Sequence, residues 1–367
     1  MKSLKKSHTI QEMSMRSILE SLFASQVFNA SLIPSSYFGQ RRWPFLCGLL
    51  IFVFAGSLQG ETRELHGSTY VSLPKIASQL GMKLQWIQPQ KEVELKSKWT
   101  TLRFELHQRH FFLNGRKVAL GNPVALSRGQ LFISQRDIQK TLQPLLTPQI
   151  FAESSPKLYH IVIDPGHGGH DPGAENRKLR VNEKSTTLDL AKRMKKKLER
   201  LGYKVTLTRD TDKFISLGER PAIANRVKAD LFISLHFNAV ASSKVKGLET
   251  FAMTPAGHPS SSQSNMTSSA RRTYPGNKND TWNVLAAYYL QSAMLKNHKQ
   301  TDRGVKRARF AVLKNLNCPG VLVEGGFVTH PTEGKNIGSA AYREKLADSL
   351  VEGILTYQKT LNRVRGR

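Results

Sequence analysis

Four side chains in this chain are of types that could bind a metal ion and move a proton: His167, Glu183, His236 and Glu324. Two imidazole nitrogens and a carboxylate oxygen form a mixture that zinc accepts. A catalytic zinc uses three protein ligands and keeps a fourth position for water. Singly, each residue has a commoner structural role. A histidine at a strand end is ordinarily hydrogen-bonded to its neighbours, and a glutamate at a helix start complements the helix dipole. The four are scattered along the chain with no His-Glu-x-x-His pattern, so spacing alone leaves the structural and the metal-binding readings both open.

The elements that would carry these residues favour convergence. From Tyr159 onward, apolar runs of strand length alternate with helical patterns: 159–163, then a helix over 183–201, a strand over 204–208, a helix near 217–229, and strands at 231–235, 248–253 and 321–323. Helices near 282–296 and 340–361 complete the series. Leu190, Met194, Leu198 and Leu201 fall on one face of the first helix, opposite a Lys/Arg-rich face. Alternating strand and helix predicts an α/β fold with a mainly parallel sheet flanked by helices. Ligands of such sheets lie beyond the carboxyl ends of the strands. His167 follows the first strand, His236 follows 231–235, Glu324 follows 321–323, and Glu183 opens the first helix. Glycines 166, 168 and 169 allow the sharp turn that would aim His167 inward.

Ordered segments then carry a resemblance. They include Ile161-Val162-Ile163-Asp164-Pro165-Gly166-His167-Gly168-Gly169, Asn182-Glu183-Lys184, Ser234-Leu235-His236-Phe237-Asn238-Ala239, Gly247-Leu248-Glu249-Thr250 and Pro319-Gly320-Val321-Leu322-Val323-Glu324-Gly325-Gly326-Phe327. Residues 159–360 resemble the zinc-dependent N-acetylmuramoyl-L-alanine amidases of the cell-division type. The resemblance implies that His167, Glu183 and His236 hold one Zn2+ and that Glu324 is the catalytic acid and base. It implies peptidoglycan as substrate, cut between N-acetylmuramic acid and L-alanine, with an activator protein as a further partner. Asn238 and the backbone near Gly168 are candidate substrate contacts. Arg209, Asp210, Arg220 and Asn225 read as buried pairing and capping groups. His330 and His170 read as loop residues outside the ligand set.

Charge and address fit that expectation. Lys and Arg number 55 against 27 acids, a formal charge of +28, which favours a polyanionic partner such as an anionic wall polymer or membrane surface. Arg41-Arg42 precede the apolar run 43–55, followed by small residues. The run is shorter than the roughly 20 residues of a spanning helix and matches a signal-peptide core. Residues 1–57 are therefore expected to be a signal peptide with an N-terminal extension, directing export to the periplasm or cell envelope; an uncleaved anchor is the alternative. Cys318 would then be the only cysteine, so no internal disulfide is expected.

Residues 61–146 read as a small α+β accessory domain. Pro74 and Gly81 bracket a short helix, and Asn114-Gly115 predicts a hairpin turn. The pattern weakly resembles the N-terminal domain of copper amine oxidases, which implies spacing or targeting rather than copper. Residues 147–157 read as a linker to a catalytic domain at 158–362. The Ser/Asn/Gly/Pro-rich stretch 254–281 predicts a mobile, basic loop lining the cleft, without an inhibitory helix.

Three other readings compete. A wall-binding protein without metal is disfavoured because all four positions keep the required residue types. A nucleic-acid-binding role has no motif to support it. A zinc peptidase acting within the stem peptide would use the same chemistry, and only the resemblance prefers the sugar–peptide bond.

Overall fold

Asn114 and Gly115 both take positive φ angles, 48° and 77°, and close the hairpin that their chemistry anticipates. They belong to the front part of the chain in a computed structural model that describes residues 62–366. The expected signal stretch lies outside these residues. Strands β1 (Thr62–Leu65) and β2 (Ser68–Ser72) are followed by helix α1 (Leu73–Gln79). Ser72 caps that helix through Lys75 N, and Pro74 sits in its first turn. A meander follows: β3 (Lys83–Gln88), β4 (Glu92–Lys96), β5 (Thr101–Glu105), β6 (His110–Leu113) and β7 (Arg116–Ala119). Strands β8 (Ala125–Ser127) and β9 (Gln130–Ser134) join β1 and β2 in a four-stranded sheet.

The second part begins with β10 (His160–Pro165), the hairpin strands β11 (Glu175–Asn176) and β12 (Val181–Asn182), and helix α2 (Glu183–Arg200). It continues with β13 (Lys204–Leu207), α3 (Glu219–Arg226), β14 (Leu231–Asn238), β15 (Leu248–Met253), α4 (Asp280–Asn297), β16 (Asp302–Ala308), β17 (Gly320–Phe327), α5 (Pro331–Gly338) and α6 (Ala340–Val364). Strands β13, β10, β14 and β17 are parallel neighbours. Their consecutive apolar residues serve both faces. Ile161, Ile163, Ile233, Val321 and Val323 belong to the core under α2, α4 and α6, whereas Val162, Phe232 and Leu322 belong to a second cluster with Ala224 of α3. Each fully buried side chain of this kind contributes roughly 1.5–3 kcal/mol. The α/β architecture is thus present, with helices on both faces of the sheet.

Three findings add to or correct the expectations. First, the sheet, mainly parallel within the catalytic part as expected, does not stop there. Strand β15 runs antiparallel to β17, β16 runs parallel to β15, and β16 meets β7 at Val305 and Val118. The result is one eleven-stranded sheet, β13-β10-β14-β17-β15-β16-β7-β6-β5-β4-β3. Strand β16 was hidden because Val305 is its only strongly strand-favouring apolar residue among alternating charges.

Second, the stretch 147–157, read as a linker, has local structure of its own. Pro148–Ser154 winds into a 3-10 helix, for which Pro148 supplies a preset first turn.

Third, the stretch 254–281 does not line the metal-side cleft. Because β15 is antiparallel to β17, Ala252 pairs with Val321, at the start of β17, and the stretch leaves at the opposite end of the strands from Glu324. It is also anchored. Arg309 donates to the carbonyls of Pro255, His258 and Ala270 at 2.9, 2.8 and 3.0 Å. Arg109, from the front part, donates to those of Pro259 and Ser260 at 3.1 and 3.3 Å.

Candidate metal centre

The turn after β10 places His167 in the left-handed region, φ 63°, a costly conformation for a residue with a Cβ. Two buried arginines hold it there. Arg209 donates to the carbonyls of Pro165 and Gly166 at 3.0 and 2.7 Å. Arg220 donates to those of Pro165 and His167 at 2.9 and 3.0 Å. Arg220 is paired in turn with Asp164, at 2.8 Å, and that carboxylate also accepts from Thr208 and Ser234 at 2.6 and 2.8 Å. Arg209 and Arg220 act as the structural braces expected of them, whereas Asp210, read as buried with them, is exposed. Asn225 likewise bonds Asn315 O and Asn317 N, at 2.7 and 2.9 Å, away from the site.

Glu183 arrives as the first residue of α2, whose cap is Asn182. Its carboxylate is buried and fixed by the main chain: Oε1 accepts from Phe237 N at 3.0 Å, and Oε2 from Ala174 N at 2.8 Å. The rings converge on the same group. His236 Nδ1 lies 2.8 Å from Oε1 and His167 Nε2 lies 3.1 Å from Oε2. The two rings stand edge to face, 5.0 Å apart. Ligand atoms of His167, Glu183 and His236 all lie within 4.8 Å of one another, so the three could share one metal ion.

The surroundings fit such an ion. His167 Nδ1 is 2.8 Å from Asp171 Oδ2, a carboxylate–histidine contact that fixes the ring and leaves the other nitrogen for a ligand. Space is reserved by glycine. A Cβ on Gly166 would meet His236 Cε1 at 2.3 Å, and one on Gly173 would meet His167 Cδ2 at 2.6 Å and Glu183 Oε2 at 2.7 Å. Burial opposes charge on His167, but Glu183 and Asp171 outweigh it and hold its pKa above the usual value. Burial also works against ionisation of Glu183, and the two histidines overcome it and keep that carboxyl strongly acidic.

Glu324 is one strand over, beside His236 in the pairing of β14 with β17. Its Oε2 is buried with no hydrogen-bond partner among the described residues. Burial, then the charges of Glu183 and Glu249, push its pKa well above the usual carboxylate range, against a smaller opposing pull from Lys306. The groups therefore differ sharply in proton affinity within one site, the pattern of an acid–base centre.

The candidate substrate contacts are placed differently. Asn238 spends its side-chain amide on Glu249 Oε1, at 2.6 Å. Gly168 exchanges both backbone hydrogen bonds with Asp171, at 3.0 and 3.2 Å. His170 packs against Phe214, with rings 4.2 Å apart, and His330 caps α5 through Glu333 N at 3.2 Å. The sequence reading gave no role to two residues: Asp171, four residues after His167, and Glu249, buried beside Glu324 and part of the segment Gly247-Leu248-Glu249-Thr250 that carries the resemblance.

Residues 161–356 match the family described as N-acetylmuramoyl-L-alanine amidase, and residues 60–144 match the copper amine oxidase N-terminal domain. The chain is 33% identical over 218 residues to the N-acetylmuramoyl-L-alanine amidase AmiA of Escherichia coli, covering 54% of this chain and 75% of that one. It is 34% identical over 227 residues to the amidase AmiC of Neisseria meningitidis, covering 56% of this chain and 54% of the relative. The solved structure of an N-acetylmuramoyl-L-alanine amidase from Clostridium difficile shares 31% identity over 56% of this chain and 98% of its own, with a TM-score of 0.46. The family match runs through all four site residues and more than half of the sequence: this chain belongs to the N-acetylmuramoyl-L-alanine amidase family.

Proposed function

We propose that this enzyme hydrolyses peptidoglycan at the amide joining the lactyl group of N-acetylmuramic acid to L-alanine, using one zinc ion held by His167, Glu183 and His236. The observation that carries this reading is the meeting of those three ligand atoms within 4.8 Å, beside a glutamate whose Oε2 has no hydrogen-bond partner among the described residues. When bound, zinc would polarise the amide carbonyl and lower the pKa of water toward about 7. Asp171 holds the His167 ring so that Nε2 is the ligating atom. Phe237 N and Ala174 N hold the Glu183 carboxylate in place. Glu324 takes the proton of the attacking water and delivers it to the leaving amine of L-alanine; its high proton affinity suits both halves of that task.

Loops on the metal side carry exposed Arg177, Lys178, Lys213, Lys244 and Lys246, suited to an anionic wall. Wall remodelling or daughter-cell separation in the periplasm or envelope, after export through the N-terminal signal, completes the proposal. No helix among the described residues is long and apolar enough to cross a membrane.

The test is to incubate the purified protein with peptidoglycan, with and without a zinc chelator, alongside Glu324→Gln. Mass spectrometry should find free stem peptides beginning with L-alanine and peptide-free glycan. Both should disappear on chelation and in the variant. Shortened stems still attached to sugar would instead identify a peptidase and overturn the reading.

A further inference from the structure

At the far end of the strands from the metal centre, a cleft of about 1010 Å³ opens between the front part of the chain and the anchored segment that follows β15. It exists only because those two parts are docked. One wall carries Arg109 and Arg136 of the front part, and the other carries Met266 and Arg271 of the segment. Arg109 is committed to carbonyls and acts as the hinge pin between the walls. Arg136 and Arg271 are exposed, and neither has an ion-pair partner among the described residues. The single acid lining the cleft, Glu64, already accepts a hydrogen bond from Thr69 Oγ1 at 2.6 Å. The lining is otherwise dominated by serine, asparagine, glutamine, histidine and glycine.

This chemistry selects a class of ligand. The volume is at the upper end of the roughly 300–1,000 Å³ that small-molecule sites span, which suits an oligomer better than a single sugar. The polar lining suits hydroxyl and acetamido groups. Two uncommitted guanidinium forks suit carboxylates. A sugar polymer with carboxylates at regular intervals has all three features. Resting on the amidase reading, we propose that the cleft is a second binding site for the carboxylate-bearing glycan strand of peptidoglycan.

The reaction itself supplies a carboxylate at each turnover. Hydrolysis of the amide adds water across the C–N bond, giving the amine to L-alanine and leaving a lactyl carboxylate on the muramic acid. Before cleavage the carboxylates belong to the stem peptides. Either form offers the shared chemistry. The proposed metal site lies toward the other end of the strands, beside Glu324. A strand held in the cleft would keep neighbouring stems at a high effective concentration near the metal.

The test uses the full chain carrying Glu324→Gln, so that nothing is cut. Binding is measured to two probes: intact glycan strands with stems, and strands stripped of peptide. Arg136→Glu with Arg271→Glu, and separately Ser264→Trp, which blocks the cleft without a charge change, should each weaken strand binding about tenfold or more. In the Glu324 background, the same variants should cleave a soluble disaccharide-peptide at a rate within about twofold of the parent, since that fragment cannot span both sites. Preference for the stripped probe assigns the site to lactyl carboxylates; preference for the intact probe assigns it to stem carboxylates. Lys192→Glu with Lys196→Glu, on the basic face of α2, is the control. Undiminished strand binding in the cleft variants, or an equal loss in the control, would overturn the proposal. Failure of the parent to cleave the soluble fragment would instead sink the amidase reading.

Discussion

Glu249 and Glu324 face each other across the antiparallel pair β15–β17, yet only Glu249 is surrounded by counter-charge. Arg303 Nε lies 2.9 Å from Glu249, and the Lys306 ammonium contacts the same oxygen. Glu324 has no such partner among the described residues, and its Oε2 accepts no hydrogen bond from them. Lys306 nonetheless favours the ionised form of Glu324 at a distance. Replacing it by methionine removes that pull and raises the proton affinity further. A group acting as base must be ionised, so the acid limb of the kcat/KM profile of Lys306→Met should move to higher pH. An unmoved or lowered limb would disprove the coupling. Glu324→Gln itself should cost about 10²–10⁴-fold in kcat.

Asp171 orients His167, a proposed ligand, without belonging to the proposed set. Asp171→Asn keeps the shape but removes the charge that fixes the His167 tautomer. Metal affinity, measured by competition with a chromogenic chelator, should fall about 10–100-fold while the fold is retained. Wild-type affinity in this variant would reduce Asp171 to a bystander.

Gly173→Ala tests the space beside the ligands. Its Cβ would collide with His167 and Glu183, at a backbone φ of 67°. Gly202→Ala is the matched control, with φ 86° and nothing within 4 Å of the added carbon. Both should lose about 1–2 kcal/mol from the left-handed backbone. Gly173→Ala alone should also lose bound metal, read by elemental analysis. Equal metal content in the two variants would show that the cradle is slack.

His258 makes the junction between the front part and the rest sensitive to acid. Its ring is buried beside Asp137, Nε2 has no hydrogen-bond partner among the described residues, and a Cβ on Gly121 would strike it at 2.3 Å. Burial, aided by Arg307, Arg136 and Arg109 and opposed by Asp137, lowers its pKa from 6.5 to about 4. The unfolded chain therefore takes up this proton before the folded chain does. Stability is complete above pH 6.5 and falls as pH drops from 6.5 to about 4, by up to about 3 kcal/mol. Thermal unfolding across this window should show the loss, and His258→Leu should flatten it. A parallel pH dependence in the variant would assign the acid sensitivity elsewhere.

The convergence of His167, Glu183, His236 and Glu324 was legible because each follows a short apolar run or opens a helix, and parallel strands deliver their carboxyl ends to one edge. Pairing direction was not legible. Nothing in Leu248–Met253 says that this strand runs backwards, so the polar segment after it was assigned to the wrong end of the sheet. Its composition suggested mobility because the arginines that pin it, Arg109 and Arg309, come from elsewhere in the chain. Asp171 was hidden for a related reason. Its role arises when the backbone of Gly168 and Asp171 folds back on itself and returns the carboxylate to the His167 ring.

The meeting of β16 with β7 has a consequence for how this architecture can change over time. A module hung on a flexible tether can be exchanged between enzymes with little regard for its neighbour. Here Lys117 N bonds Asp302 at 3.0 Å, Tyr288 OH bonds Leu113 O at 3.2 Å, and Arg307 reaches Lys140 O at 2.8 Å. Cutting between the two parts would bare a sheet edge on both fragments. Grafted onto another hydrolase, the front domain would lose this strand contact unless the recipient brought a matching strand with it.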